Sequence, residues 1–205
     1  MKNLLLISLL FASATVMAQD GEGTFLKPAP ANYQVKQAIE VESLFPMFFY
    51  GGYHLGAGYR YNKWRVRISV INSGTYDVES AGVSNNSTDF KRFYKTSPGI
   101  FLGYNVWKNL ELYGFLEHHT FQILQKATGQ RQDVKSIDFG PGIGYQFFFG
   151  RYLYLQPAMH LYLRTDKTLS FTGQDYHIPN VDLSPVIRIG VRLWKQFPTN
   201  TGKDR

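Results

Sequence analysis

The chain has 205 residues, 44% of them hydrophobic, 18% charged and 16% aromatic, with a net charge of +7 and no cysteine. This length suits one domain, and the missing cysteine excludes a disulfide framework, a thiol nucleophile and a lipidated cysteine. A mean hydropathy of -0.24 excludes a helical membrane bundle. There is no Lys/Arg run, which argues against a nucleic-acid partner; an anionic lipid headgroup layer suits the surplus positive charge better.

Residues 1–18 read as a secretory signal peptide. Lys2 charges the start, Leu4–Phe11 is a short apolar run, and Val16-Met17-Ala18 is a small-x-small cleavage site. Cleavage removes one positive charge, leaving +6 on the mature chain. Residues 19–34 are polar, with Pro28 and Pro30, and read as an irregular periplasmic leader. From there on no stretch approaches the ~18 apolar residues of a membrane helix, and the hydrophobic period is two.

Eight alternating segments follow: 35–45, 53–62, 64–73, 94–107, 110–124, 134–149, 152–166 and 181–194. Tight turns fall at Asn62-Lys63, Lys108-Asn109 and Gly150-Arg151, and longer connections at 46–52, 74–92, 125–133 and 167–180. Short turns at one end and long loops at the other, with an even number of long strands, predict an all-β, eight-stranded antiparallel up-and-down transmembrane barrel over 35–194. Residues 195–205 are then a periplasmic tail.

One face of each segment is Leu, Ile, Val, Tyr and Phe; the other carries charge, His, Gln and Gly. A soluble barrel would put the apolar face inside, around an apolar ligand. Export and aromatics beside the short turns (Trp64, Trp107, Tyr152 and Trp194) favour the inverse, with apolar residues toward lipid and these four in an interfacial girdle. By parity alone Trp107 and Trp194 fall on the lumen side and need local twist to reach the interface. Four prolines, Pro98, Pro141, Pro157 and Pro185, stand against continuous strands, because a closed barrel has no free edge.

The eight segments, the turn and loop asymmetry and the last strand, Arg188-Ile-Gly-Val-Arg-Leu-Trp194, resemble small outer-membrane β-barrels of the OmpA/OmpX type over roughly Val35–Trp194. The resemblance implies periplasmic termini, extracellular long loops, a lipid and lipopolysaccharide environment, and recognition of the last strand by the barrel-folding machinery. It implies no cofactor and no metal. Thr75–Lys91, with Asn85-Asn86-Ser87-Thr88, is a candidate contact surface whose ligand the sequence does not name.

An eight-stranded lumen is just wide enough for side chains to fill. The inward set, Glu40, Glu42, Glu111, Glu117 and Asp138 against Arg60, Arg65, Arg67, Arg164, Arg188 and Arg192, reads as a structural ion-pair plug. Closure would set Glu40 and Glu42 beside Arg188 and Arg192. The alternative is a lipid-modifying enzyme, a lipid A acyl hydrolase or acyltransferase. Ser97, Ser184, His119, His160 and Glu117 share the inward parity near the outer leaflet, and acyl transfer needs a serine beside a base. With His54, three inward histidines also have the chemistry of a metal site.

Overall fold

The computed structural model describes residues 35–79, 89–150, 152–165 and 167–196. The expected signal peptide and leader, the 80–88 segment with Asn85–Thr88, and residues 197–205 lie outside the described residues.

The elements are β1 (Gln37–Leu44), a 3-10 helix (Phe45–Tyr50), β2 (Tyr53–Tyr61), β3 (Trp64–Asn72), β4 (Phe90–Tyr94), β5 (Ser97–Trp107), β6 (Leu110–Gln125), β7 (Arg131–Tyr145), β8 (Phe147–Phe149), β9 (Leu153–Leu163), β10 (Lys167–Phe171), β11 (Gln174–Ile178) and β12 (Val181–Gln196). Both β4 and β5 pair with β6, and both β7 and β8 pair with β9, so each couple forms one interrupted stave. Pairing of β12 with β9 and with β1 closes the ring, giving an eight-stave antiparallel barrel. Asn62 (φ 52°) and Lys108 (φ 48°) take the left-handed conformation that two-residue hairpin turns require.

The alternation is inside-out. Leu55, Ile68 and Leu193 are 55%, 60% and 65% exposed on the outer surface, whereas Arg65 and Glu40 are fully buried within. The apolar-lined soluble barrel requires the opposite arrangement.

Two β-bulges aim the girdle. The β5–β6 register shifts between Asn105 and Trp107, and the β1–β12 register passes from Trp194 to Arg192, skipping Leu193. Each extra residue flips the parity beyond it, so Trp107 and Trp194 face outward with Trp64 and Tyr152 at the short-turn rim. Lys108 and Lys195 place their Nζ over the rings of Trp107 and Tyr152, at 4.5 and 3.6 Å from the centroids.

Each proline pairs at a place where the ladder on its other side is interrupted. The β5–β6 ladder starts at Gly99, one residue past Pro98. The β7–β9 ladder omits Gly140 and Pro141. Pro157 pairs with Ile187 and, on its other side, falls between the Gly144–Ala158 and Phe147–Leu155 pairs, where the ladder to β7 and β8 is broken. Pro185 lies beyond Arg188, where the β1–β12 ladder ends. A residue without a donor costs little where no partner carbonyl waits for it.

The long-loop end is more ordered than its sequence suggests. The 46–52 connection holds the 3-10 helix, ended by left-handed Gly51 (φ 69°). The expected 125–133 loop shrinks to 126–130, because β6 and β7 stay paired up to Leu124 and Arg131. The expected 167–180 loop contains the β10–β11 hairpin, turning at Gly173 (φ 75°). Phe171, Tyr176 and Ile178 of this hairpin bury against Phe90, Phe121 and Ile123 of β4 and β6. That apolar contact gives a reason for five-residue strands to form where the sequence reads as loop.

Candidate functional site

Within the described residues the barrel buries seven arginines and seven carboxylates, and no lysine. Guanidinium suits this lumen because its planar fork can serve several carboxylates at once.

Arg65, on β3, is the hub. Its Nε meets Glu40 Oε2 at 2.6 Å, its NH2 meets Glu42 Oε2 at 2.7 Å, and its NH1 meets Glu111 Oε2 at 3.1 Å. Its NH2 also donates to the Tyr154 hydroxyl, which donates in turn to Glu42 Oε2 at 2.9 Å. Closure of β1 on β12 brings Arg192 Nε to 2.7 Å from Glu40 and Arg188 Nε to 3.4 Å from Glu42. Arg67 NH1 donates to Glu42 Oε1 at 2.7 Å. Arg60 donates to Asn105 Oδ1 and Gln146 Oε1 at 2.8 and 2.9 Å, and its Nε lies 3.5 Å from Glu40. Arg67 and Arg188 both lie over the rings of Phe101 and Tyr113, with Arg67 4.8 Å from each.

Higher up, Arg188 NH2 lies 2.6 Å from His160 Nε2. Arginine can only donate, so Nε2 accepts and Nδ1 donates to the Tyr162 hydroxyl at 3.0 Å. His119 Nδ1 lies 2.8 Å from Asp138 Oδ2, which also accepts from Arg164 Nε at 2.9 Å; Ser136 Oγ donates to the other oxygen at 2.6 Å. Glu117 Oε2 is 3.7 Å from His119 Nε2. His54 Nδ1 accepts the Leu44 backbone N–H at 3.2 Å, at the end of β1.

The structure does not assemble the serine–histidine pair that acyl transfer needs. Ser97 Oγ donates to the Lys95 carbonyl at 2.8 Å and accepts the Thr120 N–H at 3.1 Å. Ser184 pairs with His160 across β12–β9, yet among the described residues no hydrogen bond joins either serine to a histidine. Nor, among those residues, does any group of three His, Asp or Glu side chains stand ready to hold a metal ion.

Above the lumen sits a cap that sequence reading missed. Arg92 bridges Glu79 Oε2 (3.2 Å) and Asp182 Oδ2 (3.0 Å), and the Tyr176 hydroxyl donates to Glu79 Oε2 at 2.6 Å. Gln125 Nε2 donates to the Thr172 carbonyl at 3.2 Å, tying the β10–β11 hairpin to β6. Burial holds the Tyr176 phenol above its ordinary value near 10, with Arg92 opposing and Glu79 adding to the rise. Arg92 and Glu79 fall in a stretch that reads as loop, and no periodic signal marks them. Asp182, Tyr154 and Gln156 carried a signal, the inward parity of their strands.

The long-loop half of the lumen (Glu79, Glu117, Asp138 and Asp182 with Arg92 and Arg164) is thus rich in carboxylates. The short-turn half (Arg60, Arg65, Arg67, Arg188 and Arg192 with Glu40, Glu42 and Glu111) is rich in arginine. Both halves are filled by side chains that hold one another, so the geometry is that of a stopper.

No family model matches the chain, and no curated protein matches it. Among solved structures it is similar to the N-terminal β-barrel domain of Pseudomonas aeruginosa OprF, with a TM-score of 0.44 and 13% identity over 78% of this chain and 99% of that one. It is also similar to Neisserial surface protein A (TM-score 0.41, 16% identity, 78% and 96% covered). A third is Ail, the attachment invasion locus protein of Yersinia pestis (TM-score 0.36, 15% identity, 78% and 95% covered). The eight-stave antiparallel barrel itself rests on this chain's own strand pairing.

Proposed function

We propose that this chain is an integral bacterial outer-membrane barrel, exported by a cleaved signal peptide, with a closed lumen and a structural or surface-interaction role carried by its long-loop end. The observation that carries this reading is the inside-out distribution. An aliphatic belt rimmed by Trp64, Trp107, Tyr152 and Trp194 faces outward around an interior that buries seven arginines and seven carboxylates among the described residues. Such a continuous apolar surface far exceeds what a water-soluble monomer leaves bare, about 300–600 Å². In lipid, the closed ring leaves no unpaired strand edge. Short turns and both termini then lie in the periplasm, where the folding machinery reads the last strand. The β6–β7 hairpin and the β10–β11 cap face outward, among lipopolysaccharide.

The test is electrophoretic mobility in SDS without heating, after refolding into lipid vesicles. A compact band that shifts on boiling supports the barrel in the membrane. Full solubility without detergent, with one mobility before and after heating, overturns it. In planar bilayers the stoppered lumen predicts no stable conductance steps.

A further inference from the structure

One row of residues runs across the wall from strand to strand: Glu42 on β1, Gly56 on β2, Ser69 on β3, Gly99 on β5 and Glu117 on β6. The three central members offer the lumen no side chain larger than a hydroxymethyl group. Their smallness is needed, because a Cβ on Gly56 or Gly99 would lie 2.9 or 2.7 Å from the Cγ of Glu42 or Glu117. The wall is backed here by the Glu42 and Glu117 side chains lying across the glycines, and on its outer face lies a groove of about 710 Å³. Leu55, Ile68, Ile100, Leu116, His118 and Ile137 line it, with small Ala57 among them.

The outward row above the groove changes character. It runs through Tyr53, Asn72, Thr96, Lys95, Thr120 and Lys135. The Tyr53 hydroxyl and the Asn72 amide both meet Thr96 Oγ1, at 3.0 and 3.5 Å. Lys95 and Lys135 flank Thr120: Lys95 N donates to the Thr120 carbonyl at 2.8 Å, and Lys135 is Thr120's partner across β6–β7. Both lysines are exposed, and neither makes an ion pair among the described residues. The outward acid two residues above Lys135 on β7, Asp133, accepts from Gln122 Nε2 at 3.1 Å. An apolar trough thus ends in a shelf of hydroxyl, amide and ammonium donors. Two cations stand about 10 Å apart there, two strand spacings.

We propose that this groove seats an acyl chain of a phosphorylated outer-leaflet glycolipid, whose phosphate rests on Lys95 and Lys135. The assignment rests on the membrane reading above, which makes the outward face a lipid contact and puts this row at headgroup height. Charge complementarity selects the occupant: a neutral lipid satisfies the trough but leaves both ammonium groups without a counter-charge.

The experiment is native mass spectrometry of the full-length refolded protein, incubated with bisphosphorylated lipid A or with the same lipid A dephosphorylated. One phosphorylated lipid should stay bound per barrel. Each lysine near an anionic headgroup contributes roughly five-fold, so the Lys95→Ser/Lys135→Ser variant should lose roughly thirty-fold in retention. Ala57→Phe fills the trough from the lipid side and should displace the lipid while the folded, heat-shifting mobility persists. Equal retention of the two lipids overturns the assignment, as does retention that neither variant changes, or no retention by a correctly folded barrel. A chain that shows no heat-shifting mobility fails earlier, at the membrane reading, so the two failures are distinguishable.

Discussion

Replacing Arg65 by Met removes the hub of the lumen and leaves its three carboxylates to their remaining partners. Glu40 keeps Arg192 at 2.7 Å, and Glu42 keeps Arg67 at 2.7 Å, so neither is stranded. Glu111 is different: its remaining hydrogen-bond partner among the described residues is the neutral Gln156 amide, whose Nε2 donates at 2.7 Å. The cost therefore concentrates on one unpaired buried charge, worth about 3–5 kcal/mol. Arg65→Met should destabilise the barrel by that amount in urea unfolding from lipid vesicles, read as the fraction of compact band. Adding Glu111→Gln removes the stranded charge, so the double variant should recover roughly 2 kcal/mol or more. Arg60→Met is the control. It loses two hydrogen bonds to neutral acceptors and one 3.5 Å ion pair and should cost about 1–2 kcal/mol. An Arg65→Met loss below about 1 kcal/mol, or no recovery on adding Glu111→Gln, would show that the network is not organised around this contact.

Three further outcomes follow from local geometry. At Gly140 a Cβ would lie 1.8 Å from the Leu161 carbonyl oxygen, so Gly140→Ala must force β7 and β9 apart and should cost about 3 kcal/mol or more; Gly114→Ala, with open space around it, should cost under about 1 kcal/mol by the same unfolding assay. Deleting Val106 removes the extra residue and leaves Asn105–Glu111 and Trp107–Leu110 as successive pairs in regular alternation, so Trp107 should stay outward and its fluorescence should remain quenched by brominated lipid; a loss of quenching would refute the bulge. Burial raises the Tyr176 phenol in the folded state, so the hairpin's stability is full below the unfolded value near 10 and is lost as pH rises beyond it. Proteolysis within 167–178 should then accelerate above about pH 10 in the wild type, while Tyr176→Phe, which has nothing to titrate, should show no such acceleration.

Alternation made most of the barrel legible in the sequence. A strand with an apolar face outward and packed charge inward has a strict period of two, and Tyr53–Tyr61 or Leu110–Gln125 show it without interruption. Where that period slips by one residue, parity misassigns everything beyond the slip, which is why Trp107 and Trp194 read as inward: a bulge changes the count and leaves no mark in composition. The prolines were warnings of the same kind. Each reported a place where one ladder stops, and only the pairing on both sides shows that Pro157 falls in the gap between the β7–β9 and β8–β9 ladders. The β10–β11 hairpin was illegible for another reason. Its two five-residue strands owe their order to Phe90, Phe121 and Ile123, which lie far away in the chain.

The lumen divides along the same line. Parity picks out which charges face inward, because that depends on each strand alone. Which carboxylate meets which arginine depends on how strands are staggered around a closed ring, and Arg65 reaches Gln156 across 91 residues of sequence. The stagger also explains why Arg65 is the hub. Its row contains Gly103 on one neighbouring strand, where a Cβ would collide with Glu111 Oε1 at 2.1 Å, so the Glu111 carboxylate crosses an empty glycine position to meet Arg65. Gly56 and Gly99 make the same kind of room for Glu42 and Glu117 one tier up. These three glycines on the polar face each vacate a lattice point so that a carboxylate side chain can lie across it, and Gly142 and Gly190 do the same for the rings of Tyr113 and Tyr154. In the upper tier this has a second consequence, because two adjacent vacancies with only Ser69 between them underlie the wall where the outer groove lies. A bulky residue at Gly99 would push Glu117 away from His119 within and disturb the groove without. The interior network and the apolar outer surface are thus two sides of one packing solution.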